Sequence, residues 1–303
     1  MADTNNSLVA FSDQVAQLVE RAASGVVAVH QSGGFRSSGI HWRSGVIVTA
    51  EEVLEHDKDI TVTLPGGRQV AATLAGRDPS TDVAVLRFEP DGLTPVATAD
   101  AASLRAGHVV LAVGNHDGAP LAGSGIAAFV GGAWRSQRGG TIDSLIRLDL
   151  MLNPAAEGGA LVDVHGKILG MVVSGPRRRV LAIPGLTIDR AVDAILAKGY
   201  VGRGYLGAGL QPVRLGKQGR EAQSSAAVRG ILVVNIDPDG PASRAGLLIG
   251  DIVTTWKGKS IDRVRDIMRL LGPDSVGSTV DLELLRGGVP TALKIIIGER
   301  RVE

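Results

Sequence analysis

No cysteine occurs in the 303 residues, which excludes a disulfide framework, a thiolate metal site and a cysteine nucleophile. Aromatic residues make up 3% of a chain that is 44% hydrophobic, so its cores have to be built from Val, Leu, Ile and Ala. An excess of one charge is missing too. The 32 Lys and Arg stand against 31 Asp and Glu, a formal net charge of +1, which excludes a nucleic-acid glove or a polybasic membrane surface and leaves binding to local sites. No apolar run approaches the ~20 residues of a membrane helix, and the opening MADTNNSLVAFSDQ has neither the basic nor the apolar segment of a secretory leader. The expectation is a cytoplasmic protein with no membrane span and no nucleic-acid partner.

What is abundant is glycine, 41 residues, which points to many turns and short strands. The length suits two units of about 150 residues each. Leu8, Phe11, Val15, Leu18 and Val19 share helical spacing, predicting an amphipathic helix over 8–22 that leads into a strand over 26–29. Short turn-bounded runs follow: SGVIVTA, DITVTLPGG, RQVAATLAG, DVAVLRF, HVVLAVGN, GIAAFVGG, LIRLDL and GKILGMVV. Their number argues for antiparallel barrels or sandwiches. The period then changes over 187–198, predicting a helix with Thr187 as its cap and Gly199 as its stop. Beyond it lie five further strand-like runs, a helix near 264–271 and a polar stretch over 214–230 that reads as a mobile loop.

Six segments, in order, resemble the HtrA (DegP, DegQ and DegS) family: SSGIHWRSGVIVTAEEVL, GRDPSTDVAVLRFE, LRAGHVVLAVGN, LIRLDLMLNP, GRGYLG and GPASRAGLLIGDIV. The resemblance covers roughly residues 8–300. It implies a mainly β chain, a trypsin-like double β-barrel followed by an α+β PDZ domain, divided as an N-terminal helix over 1–22, a protease-like domain over 23–200 and a PDZ domain over 201–303. The departures from the family fall at its chemistry. Glu52 occupies the position of the catalytic His, Asp82 keeps that of the Asp, and Glu157 stands in the nucleophile loop where the family has Ser. That loop reads Asn153, Pro154, Ala155, Ala156, Glu157, Gly158, Gly159, against NPGNSGG in the family.

Acyl transfer needs a hydroxyl whose proton is taken by an imidazole, and a carboxylate with a reference pKa of ~4.3 is a feeble base for that task. Ala155 adds a Cβ where the family backbone turns to aim an N–H at the oxyanion, so Ala155 and Ala156 put the second catalytic device in doubt. The expectation is a pseudo-protease without a cofactor. Ser44, Ser174, His41, His56, His108, His116 and His165 read as turn or solvent-facing residues rather than a rebuilt triad. An active serine endopeptidase with a rebuilt site is the alternative.

Three convergent carboxylates repel one another unless protonated or paired with a cation. The first expectation is that Glu52 and Glu157 swing to solvent. The next is a counter-charge from Arg177, Arg178 and Arg179, and the last is a metal held by Glu52, His56, Asp82 and Glu157.

The resemblance also implies that Gly204, Tyr205, Leu206 and Gly207 form a carboxylate-binding loop. The strand beginning at Ala208 would pair with a ligand peptide, and Val264 and Met268 would line the pocket for its last side chain. Partners would be peptide or protein C-termini, with a scaffold, regulatory or chaperone-like role in protein quality control. The assembly implied is a homo-oligomer, a trimer in the family, or a mixed one with an active HtrA paralogue.

Overall fold

The structure, a computed structural model, describes residues 2–31, 36–90, 92–215 and 228–300. Most of the polar stretch over 214–230 therefore lies outside the described residues. The chain divides between residues 200 and 201 into two compact units, with Gln137–Gly140 grouped with the second.

The first unit opens with α1 (Ala2–Ala23). Only its C-terminal end carries the predicted buried stripe: Leu18, Ala22 and Ala23 are buried, whereas Leu8 and Phe11 are 66% and 61% exposed. Six strands follow, β1 (Val26–Gln31), β2 (Ser37–Arg43), β3 (Val46–Thr49), β4 (Ile60–Thr63), β5 (Gln69–Asp78) and β6 (Val83–Phe88). They close as an antiparallel barrel in the order β1-β2-β3-β6-β5-β4 around Val27, Val29, Ile47, Val62 and Leu86. The next strands are β7 (Val109–His116), β8 (Ala119–Gly131), the two-residue pair β9 (Trp134–Arg135) and β10 (Thr141–Ile142), β11 (Leu145–Asp149), β12 (Ala160–Val162), β13 (Ile168–Gly175) and β14 (Arg179–Pro184). All but β9 and β10 close a second barrel, in the order β11-β14-β13-β12-β7-β8. Its interior is filled by Val110, Ala112, Ile146, Leu161 and Val172. Strands β1, β3, β6, β7 and β13 are buried along most of their length and consist largely of Val, Leu, Ile and Ala, which is why so few aromatics are needed.

Helix α2 (Gly185–Lys198) ends this unit. Gly199 is its stop, with φ of 81° and its N–H on the Ile195 carbonyl. Thr187 is not its cap. The residue is buried inside the first turn and its hydroxyl donates to Asp143 Oδ2 at 2.6 Å, so the helix starts two residues earlier, at Gly185 after Pro184.

The second unit contains β15 (Arg203–Tyr205), β16 (Ala208–Leu215), β17 (Val228–Ile236), α3 (Pro241–Arg244), β18 (Ile252–Trp256), β19 (Lys259–Ser260), α4 (Val264–Leu270), β20 (Thr279–Arg286), β21 (Val289–Ile296) and β22 (Gly298–Arg300). Its main sheet runs β16-β17-β18-β20-β21, with β19 paired to β18 and β15 paired to β22. Ile231, Val233, Val253, Ile267, Leu282 and Ile295 form the core. The expected mainly β fold, two barrels and then an α+β unit, is what the chain adopts.

Asp251 is buried in this unit. It accepts the Leu248 N–H at 2.8 Å and two bonds from Arg286, at 2.9 and 2.7 Å. Burial alone would raise its pKa, but the bonds from Arg286 and Leu248 outweigh it and hold the carboxyl below its ordinary value near 3.8. Stability from this group is present above that value and is lost as pH falls through the lower, folded one. Arg286→Ala is expected to lower the urea midpoint of this unit at pH 7 and to flatten its decline in acid. Unchanged midpoints would mean that water serves Asp251 as well.

Candidate functional site

In the first unit, β3 ends at Thr49 and a 3-10 turn, Glu51–Val53, carries Glu52 into solvent. The Glu52 N–H donates to Asp82 Oδ1 at 3.0 Å. Asp82 precedes β6 in the left-handed region, φ 59°, on a turn braced by buried Asp78. That carboxylate accepts the Ser80 N–H at 3.0 Å and the hydroxyls of Ser80 and Thr81 at 2.6 and 2.5 Å.

The loop before β12 is a second 3-10 turn, Pro154–Ala156. Its N–H groups all point back into the chain. Ala155 N–H donates to Asn153 Oδ1 at 3.0 Å, Ala156 N–H to the Asn153 carbonyl at 2.8 Å, and Glu157 N–H to the Pro154 carbonyl at 3.1 Å. Ser38, buried on β2, fixes this arrangement from the other side. Its hydroxyl donates to the Ala155 carbonyl at 2.6 Å and accepts the Asn115 N–H at 2.9 Å, while its own N–H donates to the Glu157 carbonyl at 2.8 Å. The Ala156 methyl packs so closely on Gly114 that a Cβ at 114 would lie 2.7 Å from the Ala156 Cα.

Glu157 does not swing to solvent. It is 7% exposed, and its carboxylate accepts the N–H and the hydroxyl of Ser174, both at 2.5 Å. Burial favours this inward position only because Ser174, at the end of β13, supplies two donors for the buried oxygens. Ser174 is thus more than a solvent-facing residue, since its bonding edge belongs to Glu157. His41 also departs from its turn-side reading. It is fully buried on β2 with its ring edge-on to Phe88, centroids 5.0 Å apart. Ser44, His56, His108, His116 and His165 are exposed.

Glu52, Asp82 and Glu157 are close enough to feel one another. Burial pushes the Asp82 carboxyl up to about 8; the Glu52 N–H opposes this, and the charges of Glu52, Glu157 and Glu51 add to it. Burial likewise raises Glu157, against the two Ser174 bonds and with the Glu52 charge. Burial first, and the neighbouring charges after it, thus favour the protonated form of Asp82. Arg177 and Arg178 take φ of 61° and 58°. Among the described residues neither they nor Arg179 form an ion pair with the cleft, so the Arg run is not the counter-charge. His56 lies in an open pocket with Gln31, Glu55 and Asp57, apart from Glu52, Asp82 and Glu157. No group of three or more His, Asp or Glu suited to a metal forms among the described residues, so the four metal candidates are not assembled into a site.

In the second unit, Gly204 is a packing residue, since a Cβ there would meet Ser275 Oγ at 2.0 Å. Tyr205 donates its hydroxyl to Asp237 at 2.9 Å, a bond that, with some burial, raises its pKa. Leu206 is buried in the core. Gly207 takes φ of 75°. Among the described residues the N–H groups of Leu206 and Gly207 have no acceptor. Ala208 opens β16, the outer strand of its sheet, which among the described residues pairs only with β17 and so leaves one edge free. Helix α4 lies beside β16. Val264, like Ala208 and Leu210, packs against the core, whereas Met268 is 52% exposed. The loop at 206–207, the edge strand β16 and helix α4 are thus neighbours in this unit.

Residues 37–171 match the family model of the trypsin-like peptidase domain, and residues 204–297 that of the PDZ domain. The chain is 32% identical over 264 residues to a probable periplasmic serine endoprotease DegP-like of Halomonas elongata, spanning 84% of this chain and 54% of that protein. It is 29% identical over 318 residues to the serine protease Do-like HtrA of Bacillus subtilis, spanning 99% of this chain and 69% of that one. The chain spans about half the length of the DegP-like relatives it matches. Among solved structures, an HtrA-type protease AlgW with decapeptide superposes with a TM-score of 0.70 at 28% identity, covering 95% of this chain and 99% of that one. A serine endoprotease from Yersinia pestis does so with 0.69 at 29%, covering 94% and 97%. The expectation of a cytoplasmic protein is overturned by these relatives, several of which are named periplasmic. The opening of the sequence as given carries no information against that.

Proposed function

The chain belongs to the HtrA family of trypsin-like serine endopeptidases with a PDZ domain, and on that footing we propose that this member no longer cleaves peptides and works by holding them. The observation that carries the proposal is the loop over 153–157, where the N–H groups of Ala155 and Glu157 are spent on Asn153 and Pro154. An oxyanion can be stabilised only by donors left free to meet it. A carboxylate bonded to Ser174 fills the seat of the nucleophile, and an exposed Glu52 that of the base. The same features weigh against a rebuilt serine endopeptidase: Ser174 and Ser38, the serines bonded to this loop, both have their hydroxyls committed.

In the second unit the donors are free. A peptide carboxylate would take the N–H groups of Leu206 and Gly207, its backbone would extend the sheet along β16, and its last apolar side chain would lie toward Met268 and Val264. The structurally similar HtrA-type protease with decapeptide supports peptide binding in this architecture. The role proposed is a scaffold, regulator or chaperone-like partner for protein C-termini in the periplasm. It would act as a homo-oligomer, a trimer among the alternatives, or together with an active paralogue.

Incubation with unfolded casein and with a fluorophosphonate probe tests the silent cleft. No fragments and no labelled serine are expected. Covalent labelling with steady cleavage would refute the proposal.

A further inference from the structure

The peptide groove proposed above, between β16 and α4, would change character along its length. Beside Gly207 it would offer the N–H groups of Leu206 and Gly207. At its far end Pro212, Val213, Arg214, Arg229, Asp262 and Arg263 line an open pocket of ≈ 450 Å³. Three guanidinium groups there meet a single carboxylate. Asp262 is shared by Arg229 at 3.4 Å and Arg263 at 3.9 Å, and Arg214 has no acidic partner among the described residues.

The ladder sharpens the imbalance. Arg214 and Arg229 are directly opposite each other on β16 and β17, and like charges facing across antiparallel strands are destabilising. The arrangement lacks one or two negative charges. Proline is tolerated on an edge strand where its missing N–H would face outward, so at Pro212 the free edge lacks one main-chain donor and side chains take a larger share of recognition.

Direction fixes what arrives there. A ligand whose carboxylate sits at Leu206 and Gly207 and whose chain runs antiparallel to β16 reaches Arg214 with the residue about five or six positions before its C-terminus, at a strand rise of ~3.3 Å per residue. We infer that the groove selects C-terminal segments bearing Asp or Glu about five or six residues upstream of the terminal carboxylate. The inference rests on the reading of the groove given above, and its test separates the two.

Fluorescence anisotropy on the full chain would use four labelled decapeptides with the same apolar C-terminal residues. Three have a free carboxylate and carry Glu-Glu, Ala-Ala or Lys-Lys at the fifth and sixth upstream positions; the fourth is the Glu-Glu peptide with its C-terminus amidated. The Glu-Glu peptide is expected to bind about tenfold more tightly than Ala-Ala, and Lys-Lys more weakly still. The difference should collapse in 1 M salt, where the screening length falls to ~3 Å. Arg214→Ala, a substitution at an exposed position, is expected to bring the Glu-Glu peptide close to the Ala-Ala value. Equal affinities for the three free-carboxylate peptides would overturn the acidic preference and leave the groove standing. Equal binding of the amidated peptide, or no binding of any peptide, would overturn the groove and the preference together.

Discussion

A chain carrying Glu52→His and Glu157→Ser is expected to cleave unfolded casein no faster than the unaltered protein, and addition of Ala155→Gly is expected to raise that rate by at least about 100-fold. The double variant supplies both missing triad members, and Asp82 is already in place to orient the imidazole, since its Oδ1 accepts the N–H of residue 52. What it lacks is an oxyanion site. The N–H groups of 155 and 157 are both turned inward, to Asn153 and Pro154, and Ser38 holds the Ala155 carbonyl on the opposite side. Turning the peptide over asks residue 155 for backbone angles that alanine resists and glycine does not. Initial rates on labelled casein, with titration of the new serine by a fluorophosphonate, read both steps. A double variant as fast as the triple one would show that the loop reverses itself once substrate binds and is no barrier to cleavage.

The second large effect concerns pH. Asp82 has a folded pKa of about 8 against an ordinary 3.8, so between those values the folded chain keeps a proton that the unfolded chain has released. Stability must then fall as pH rises through that window, the reverse of the usual carboxylate behaviour. Glu157, raised for the same reason, adds to the slope. Asp82→Asn keeps an oxygen for the Glu52 N–H and removes the ionisation. Urea midpoints at pH 5 and pH 8 are expected to converge in this variant, with a relative gain at pH 8 on the order of 3 kcal/mol. Parallel pH profiles for the two proteins would mean that Asp82 is ionised in the fold, its charge met by some other group.

How much of this was legible in the sequence depends on how far each feature reaches along the chain. Short aliphatic runs bounded by turn residues gave away most of the strands, because run length and turn chemistry are local properties. Strand β2, SSGIHWR, looks polar yet is buried at Ser37, Ser38 and His41, for its partners lie on both sides in the closed barrel and Ser38 serves a loop more than 100 residues away. β14 hides behind the Arg run at 177–179, and β12 is three residues long. The three acidic positions could be located, since they depend on order along the chain. The inward turn of Glu157 could not, because it depends on a serine at the end of a different strand that only the folded barrel brings within 2.5 Å. Thr187 shows the same limit: capping chemistry was present, but Asp143 competed for its hydroxyl and won.

Each six-stranded ladder in the first unit returns to the strand from which it started, and a ring of this kind has no outermost member to fray. Peeling any one strand away requires breaking two ladders at once. Backbone amides of β3, β6, β12 and β13 should therefore exchange with deuterated solvent only through unfolding of the whole unit, while those of β16, held from one side, exchange through small local openings.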